Sequence, residues 1–219
     1  MRRYAPFIIV GLVAALAVGG GAIFYRKKLA ANPTLRITKE TSDSKETGHV
    51  LGPADAPVTL EEYGDFQCPP CGKLSEPINQ LQKQHNLRVI FREFPLAMHA
   101  HAREAACAAE AAGLQGRFWQ MHDLLFKEQQ AWSNAPDVRG LFIAYAGMLQ
   151  LDVEQFKRDI DSPAVVQTVQ ADQQRGAGLG VQTTPTIFLN NQAVPPDQLM
   201  ADKFPGFVET AVKNAKPSS

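Results

Sequence analysis

The stretch Tyr63-Gly64-Asp65-Phe66-Gln67-Cys68-Pro69-Pro70-Cys71 puts a Cys-x-x-Cys pair where a strand gives way to a helix. Upstream, Val58-Thr59-Leu60-Glu61-Glu62-Tyr63 alternates and is rich in β-formers. Downstream, Gly72 to Gln84 has helical spacing, with Leu74, Ile78 and Leu81 on one stripe. Pro69 suits the first helical position, where a missing N–H is no loss, so Cys68 becomes the N-cap and Cys71 falls inside the first turn. A sulfur at a helix start faces unpaired N–H groups and the positive end of the helix dipole, which favours its thiolate. Cys68 is therefore the candidate nucleophile at an exposed helix start. Cys71, shielded one turn in, would attack a mixed disulfide on Cys68 and release the partner. The same spacing opens many zinc loops, but a closed zinc site needs four ligands. Only Cys107 and five scattered histidines remain, so no metal is expected.

Outward from this pair, the 219 residues hold no repeat and no low-complexity tract, which fits one globular domain with a short appendage. The balanced total charge hides an asymmetry. The first 28 residues carry five bases (Arg2, Arg3, Arg26, Lys27, Lys28) and no acid, leaving 17 bases against 22 acids elsewhere. No basic patch invites nucleic acid. Ala5 to Tyr25 is uncharged and mostly apolar, long enough to cross a hydrocarbon core of roughly 30 Å, so residues 1–28 read as a transmembrane anchor. The alternative is a cleaved signal peptide ending at Ala15-Leu16-Ala17, against which stand the continuing apolar run and its basic closing flank. Residues 29–47 are polar and aperiodic and read as a linker, and residues 48–219 form the domain.

Within that domain, Gly48 to Pro53 predicts a short leading strand. Leu87 to Phe94 predicts a second main strand parallel to the first, and Pro77 is expected to kink or divide the helix between them. Helices are expected at Ala102–Ala112, Arg117–Glu128, Val138–Met148, Val153–Asp161 and Ala164–Gly176, an all-helical segment over about 97–180. Thr186–Leu189 and Ala193-Val194 form a hairpin through Asn190-Asn191, whose residues tolerate positive φ. A last helix over Asp197–Lys213 is interrupted near Pro205-Gly206. The whole is an α/β domain.

Asp65-Phe66-Gln67-Cys68-Pro69-Pro70-Cys71, Phe94-Pro95-Leu96, Gly116-Arg117-Phe118-Trp119-Gln120-Met121-His122-Asp123 and Gly180-Val181-Gln182-Thr183-Thr184-Pro185-Thr186, in that order, resemble the DsbA-like thioredoxin family. The resemblance implies a thioredoxin-like fold with an inserted helical subdomain between the second strand and the strand opened by Pro185. It also implies a cis bond between Thr184 and Pro185, with both residues positioning the substrate chain opposite the sulfurs. The activity implied is protein thiol-disulfide exchange outside the cytoplasm, with no dissociable cofactor. The partners implied are folding proteins as substrates and a membrane redox protein that resets the pair. A reductase or isomerase would use the same residues, and an anchored zinc-binding domain is the non-catalytic alternative.

Members of that family place a buried acid beneath the cysteines, a position matched by Glu62, which could take the Cys71 proton through water. Glu61 and Glu62 point to opposite faces of a strand, so one of them is expected to be solvated. Cys107 is expected as an unpaired, partly exposed thiol. His99 and His101 are expected at the surface or in packing, and His122 in the core or close to it. Pro69 and Pro70 supply neither an imidazole nor an N–H to the thiolate, so an oxidant of intermediate strength is expected.

Overall fold

The computed structural model describes residues 48–215. The anchor and linker assigned to residues 1–47 lie outside the described residues, and no helix among the described residues is long and apolar enough to cross a membrane. The elements run β1 (His49–Leu51), β2 (Thr59–Gly64), α1 (Pro69–His85), β3 (Arg88–Glu93), α2 (Ala102–Gly113), α3 (Phe118–Lys127), α4 (Gln129–Trp132), α5 (Val138–Met148), α6 (Val153–Asp159), α7 (Pro163–Gly178), β4 (Thr186–Leu189), β5 (Gln192–Ala193) and α8 (Phe204–Asn214). The strands make one mixed sheet in the order β1-β3-β2-β4-β5. β2 and β3 are parallel, joined by α1, and all other pairs are antiparallel.

α1 starts where its cap predicts, with Cys68 extended at φ −75° and ψ 117° and proline in the first turn. It ends on Asn86 in the left-handed region, whose N–H satisfies the Gln82 carbonyl. Pro77 does not divide it. The packing of Leu74, Ile78 and Leu81 against Leu60 and Val89 of the sheet and Phe204 and Val208 of α8 carries the helix through the lost hydrogen bond. Pro205 likewise does not interrupt the last helix. It occupies the first turn of α8, where proline is tolerated, and so marks its beginning.

The two faces of β2 are both covered. Leu60 and Glu62 face α1, while Glu61 and Tyr63 face α7 and Phe188 of β4. This overturns the expectation that one of the paired glutamates is solvated, because Glu61 is 5% and Glu62 3% exposed. Glu61 is held by the Arg92 guanidinium at 2.5 Å and by the Tyr63 hydroxyl at 3.3 Å, and Arg92 also reaches Asp172 of α7 at 3.1 Å. The helices between β3 and β4 form their own core around Phe118, Met121, Trp132, Phe142 and Phe156, continuous with Phe66 and Phe91 at the edge of the active-site turn. Cys107 belongs to that core and is buried, not partly exposed, since α2 is covered by the neighbouring helices and not by one of them alone. At the far edge, Asn190 (φ 46°) and Asn191 (φ 66°) make the β4–β5 turn, and Asn190 Oδ1 accepts from Thr59 N at 2.8 Å, fixing the hairpin against the start of β2.

Candidate active site

Asp65 builds the turn that carries Cys68 from the sheet to the helix. Its Oδ1 accepts from Gln67 N (2.7 Å), its Oδ2 from Leu96 N (2.9 Å), and its backbone carbonyl from Cys68 N (3.0 Å). His99 Nδ1 lies 2.7 Å from the same Oδ2, so the histidine reaches the site through the turn and not through a sulfur. The turn is also gripped from the helical segment. Gln67 donates to Ser133 O at 2.8 Å and accepts from His101 N at 2.6 Å. Gln129 Nε2 donates to both Phe66 O (2.7 Å) and Cys68 O (2.9 Å).

Cys68 and Cys71 both stand as thiols, and both are buried, 4% and 0% exposed. The expected steric contrast between an open and a shielded sulfur is therefore slight. The reason is the loop before β4: the Thr184–Pro185 bond is cis, Pro185 is buried, and the Cys68 thiol donates to Thr184 O at 3.3 Å. The contrast is electrostatic. The Cys71 thiol, within hydrogen-bonding reach, lowers the Cys68 thiol to about 6, against burial and with help from the Thr184 side chain and the Cys71 backbone. Burial pushes the Cys71 thiol well above its ordinary range, and its bond to Cys68 and the neighbouring Glu62 carboxyl add to that. Thr184 Oγ1 is buried and has no partner among the described residues, leaving its proton free for a sulfur that ionises.

Glu62 sits beneath the pair on the α1 face of β2, opposite Ile187 of β4. Its Oε1 has no partner among the described residues, and burial, followed by the nearby Cys68, raises its carboxyl to about 8. Cys68, Cys71, Glu62, Thr184 and Pro185 are thus brought together from three separate parts of the chain. His101 meets the site only through its backbone N–H. His122 is buried among Phe66, Phe91, Phe126 and Trp119, with Nδ1 2.9 Å from Asp123, and burial lowers its imidazole pKa. No group of three or more His, Cys, Asp or Glu side chains able to hold a metal ion occurs among the described residues. The sequence reading missed Asp65, Gln67 and Gln129. An aspartate followed two residues later by a backbone to bond is a recognisable turn signal, whereas neither glutamine carries a local one.

A Cys-x-x-Cys at a helix start above parallel strands, facing a cis-proline strand across a helical insertion, defines a thioredoxin-fold protein of thiol-disulfide exchange. The chain belongs to the thioredoxin family, whose profile matches residues 44–209, and within it to the DsbA-like thiol-disulfide oxidoreductases. BdbD from Bacillus subtilis, in its oxidised form, superposes with a TM-score of 0.66 at 25% identity, over 83% of this chain and 98% of that one. A thioredoxin-like oxidoreductase from Silicibacter pomeroyi gives 0.64 at 24% identity, covering 84% and 100%. The fold is shared with alpha-DsbA1 from Wolbachia pipientis, at 0.64 and 18% identity, covering 78% and 94%. Among curated proteins, Na(+)/H(+) antiporter NhaA 1 of Salinispora arenicola is 42% identical over 148 residues, 66% of this chain but 22% of the antiporter. The homologous protein of Mycolicibacterium vanbaalenii is 34% identical over 194 residues, 83% of this chain and 30% of its own. The chain thus spans less than a third of the length of these two relatives.

Proposed function

We propose that the protein is an extracytoplasmic thiol-disulfide oxidoreductase that forms disulfides in folding proteins, held to a membrane by residues 1–28 through the linker 29–47. In the oxidised enzyme a substrate thiolate attacks Cys68 Sγ. The Cys68–Cys71 bond breaks, a mixed disulfide forms, and Cys71 leaves as a thiolate that takes the Glu62 proton, directly or through water. A second substrate thiolate then attacks its neighbour's sulfur in the mixed disulfide. The substrate leaves with a disulfide, and Cys68 leaves as a thiolate received by the Thr184 hydroxyl. The two electrons now on the cysteine pair pass to a membrane redox partner, which restores the disulfide. Pro185 and Thr184, opening β4, present an edge along which an extended substrate segment can pair.

The observation that carries this reading is the different placement of the two sulfurs, Cys68 at the helix cap against the Thr184 carbonyl at 3.3 Å and Cys71 fully buried in the first turn. A Cys68 held near 6 is a good leaving group, and a Cys71 raised above its ordinary range, over a neutral carboxyl, is a poor free thiolate and a good internal trap. The antiporter relatives, in which a matching segment is part of a membrane protein, support work at a membrane surface. The two prolines leave open a reductase or isomerase role for the same residues, because they withhold two N–H donors from the thiolate. The test is transfer of oxidising equivalents: stoichiometric oxidised protein should form disulfides in a reduced, unfolded substrate. Cys71→Ser, given oxidised glutathione as the electron acceptor, should accumulate the substrate as a mixed disulfide on Cys68, and Cys68→Ser should do neither. No mixed disulfide on Cys68 would end the proposal.

A further inference from the structure

The helical insertion holds the nucleophile's backbone through one side chain. Gln129 opens α4 and its Nε2 donates to two carbonyls of the active-site turn, Phe66 O at 2.7 Å and Cys68 O at 2.9 Å. The Cys68 carbonyl is also the acceptor of the first bond of α1, from Gly72 N at 3.2 Å. Gly72 makes the approach possible. A Cβ built there would stand 2.8 Å from Gln129 Oε1, so the amide lies in the space that any other residue would fill. A glycine in the first turn of a helix has an entropic cost, and the seat for Gln129 is what the site gains from it.

We propose that Gln129 is a positioning residue for disulfide exchange: seated against Gly72, its amide fixes the Phe66 and Cys68 carbonyls and so couples the orientation of the reacting sulfur to the helical insertion. This rests on the reading of Cys68 as the exchanging sulfur. Two effects act in the same direction. The N–H donors hold both carbonyl oxygens and offset part of their negative charge close to the residue that ionises. They also hold Cys68 at its extended cap geometry (φ −75°, ψ 117°), in which the sulfur benefits from the Cys71 thiol and backbone. An open groove of about 410 Å³, lined by Pro69, Gly72, Phe126 and Gln129 among others, lets water replace the amide. Removing the side chain therefore leaves no dry, unpaired carbonyl, and the fold should tolerate the change.

The test uses the full chain and three variants, reading the pH profile of Cys68 alkylation and the equilibrium with glutathione. Losing the bond to Cys68 O should change each by about fivefold, the worth of one net hydrogen bond. Gln129→Ala should thus alkylate about fivefold more slowly at pH 5 and shift the glutathione equilibrium about fivefold toward the disulfide. Gly72→Ala reaches the same point from the other side. It should raise the melting temperature through helix propensity yet weaken the oxidant, because the new methyl displaces the amide. The exposed neighbour Gln130→Ala should change neither reading. A purely structural role would move stability and leave the thiol profile in place. That result in Gln129→Ala, or a Gly72→Ala with wild-type redox behaviour, would overturn the clamp while leaving the function intact. A wild-type Cys68 that titrates like an ordinary cysteine would instead sink the functional reading, and the clamp with it.

Discussion

Cys68 and Cys71 are the same side chain three positions apart, and their surroundings make them different chemical species. The order of the two was legible from Pro69 alone, since proline at the first helical position fixes which sulfur caps the helix. Their near-equal burial was not, because the cover comes from Thr184, 116 residues away. In the reduced protein, Cys68 should react with a thiol-specific alkylating agent with a midpoint near pH 6, while Cys71 and Cys107 stay unmodified at neutral pH, Cys107 being pushed up to about 11 by burial. Peptide mapping after brief alkylation would show it, and equal labelling of Cys68 and Cys71 would refute the assignment. Glu62 predicts a second pH effect. Its carboxyl is raised to about 8 from an ordinary 4.5, so the folded state keeps a proton that the unfolded chain releases, and stability is lost as pH rises through that window. Glu62→Gln removes the penalty. The variant should gain on the wild type at up to about 1.4 kcal/mol per pH unit between those values and, with no carboxyl proton to give the leaving Cys71, form mixed disulfides more slowly. A stability difference independent of pH would mean that Glu62 is not the buried acid.

At the scale of elements, the strands and most helices were readable because their patterns are local. Thr59 to Tyr63 alternates, Leu74, Ile78 and Leu81 share a stripe, and Asn190-Asn191 carries its own turn chemistry. What sequence pattern could not supply was the cover. Strict alternation suggests one wet face, yet α7 closes over the second face of β2, so Glu61, Arg92 and Asp172 meet in the interior. The short helix Gln129–Trp132 was likewise invisible, too brief for periodicity and set by the Trp132 indole donating to Leu125 O at 2.8 Å. The buried network predicts a contrast in stability. Arg92→Leu leaves Glu61 and Asp172 without their shared cation and should cost about 3–5 kcal/mol in chemical denaturation. Lys157→Ala removes an exposed pair with Glu154 and should cost no more than about 0.5 kcal/mol. Similar costs for the two would mean that the network is hydrated and not part of the core.

For the whole molecule, the direction of electron flow is set by how far the fold favours the reduced pair. A Cys68 thiol at about 6, against an ordinary 9, is mostly ionised at pH 7, and that ionisation stabilises the reduced form. One pKa unit below neutrality is worth about 1.4 kcal/mol, or about 30 mV for a two-electron couple. Thioredoxin, with a thiol near 7, lies at about −270 mV, and DsbA, near 3.5, at about −120 mV. This protein should fall between them, in the range of about −240 to −180 mV, because the helix start and the Cys71 thiol lower the sulfur while the two prolines and the missing histidine stop it short of the extreme. The pH dependence offers a sharper check. Below about 6 reduction takes up two protons with two electrons, and above it only one, since Cys71 alone stays protonated. The potential should therefore fall by about 59 mV per pH unit below the break and about 30 mV above it. Equilibration with glutathione buffers from pH 5 to 8 measures both quantities. A value at or below that of thioredoxin would make the protein a reductase, and a single slope across the range would show that the Cys68 thiol is not the depressed group on which its oxidising power depends.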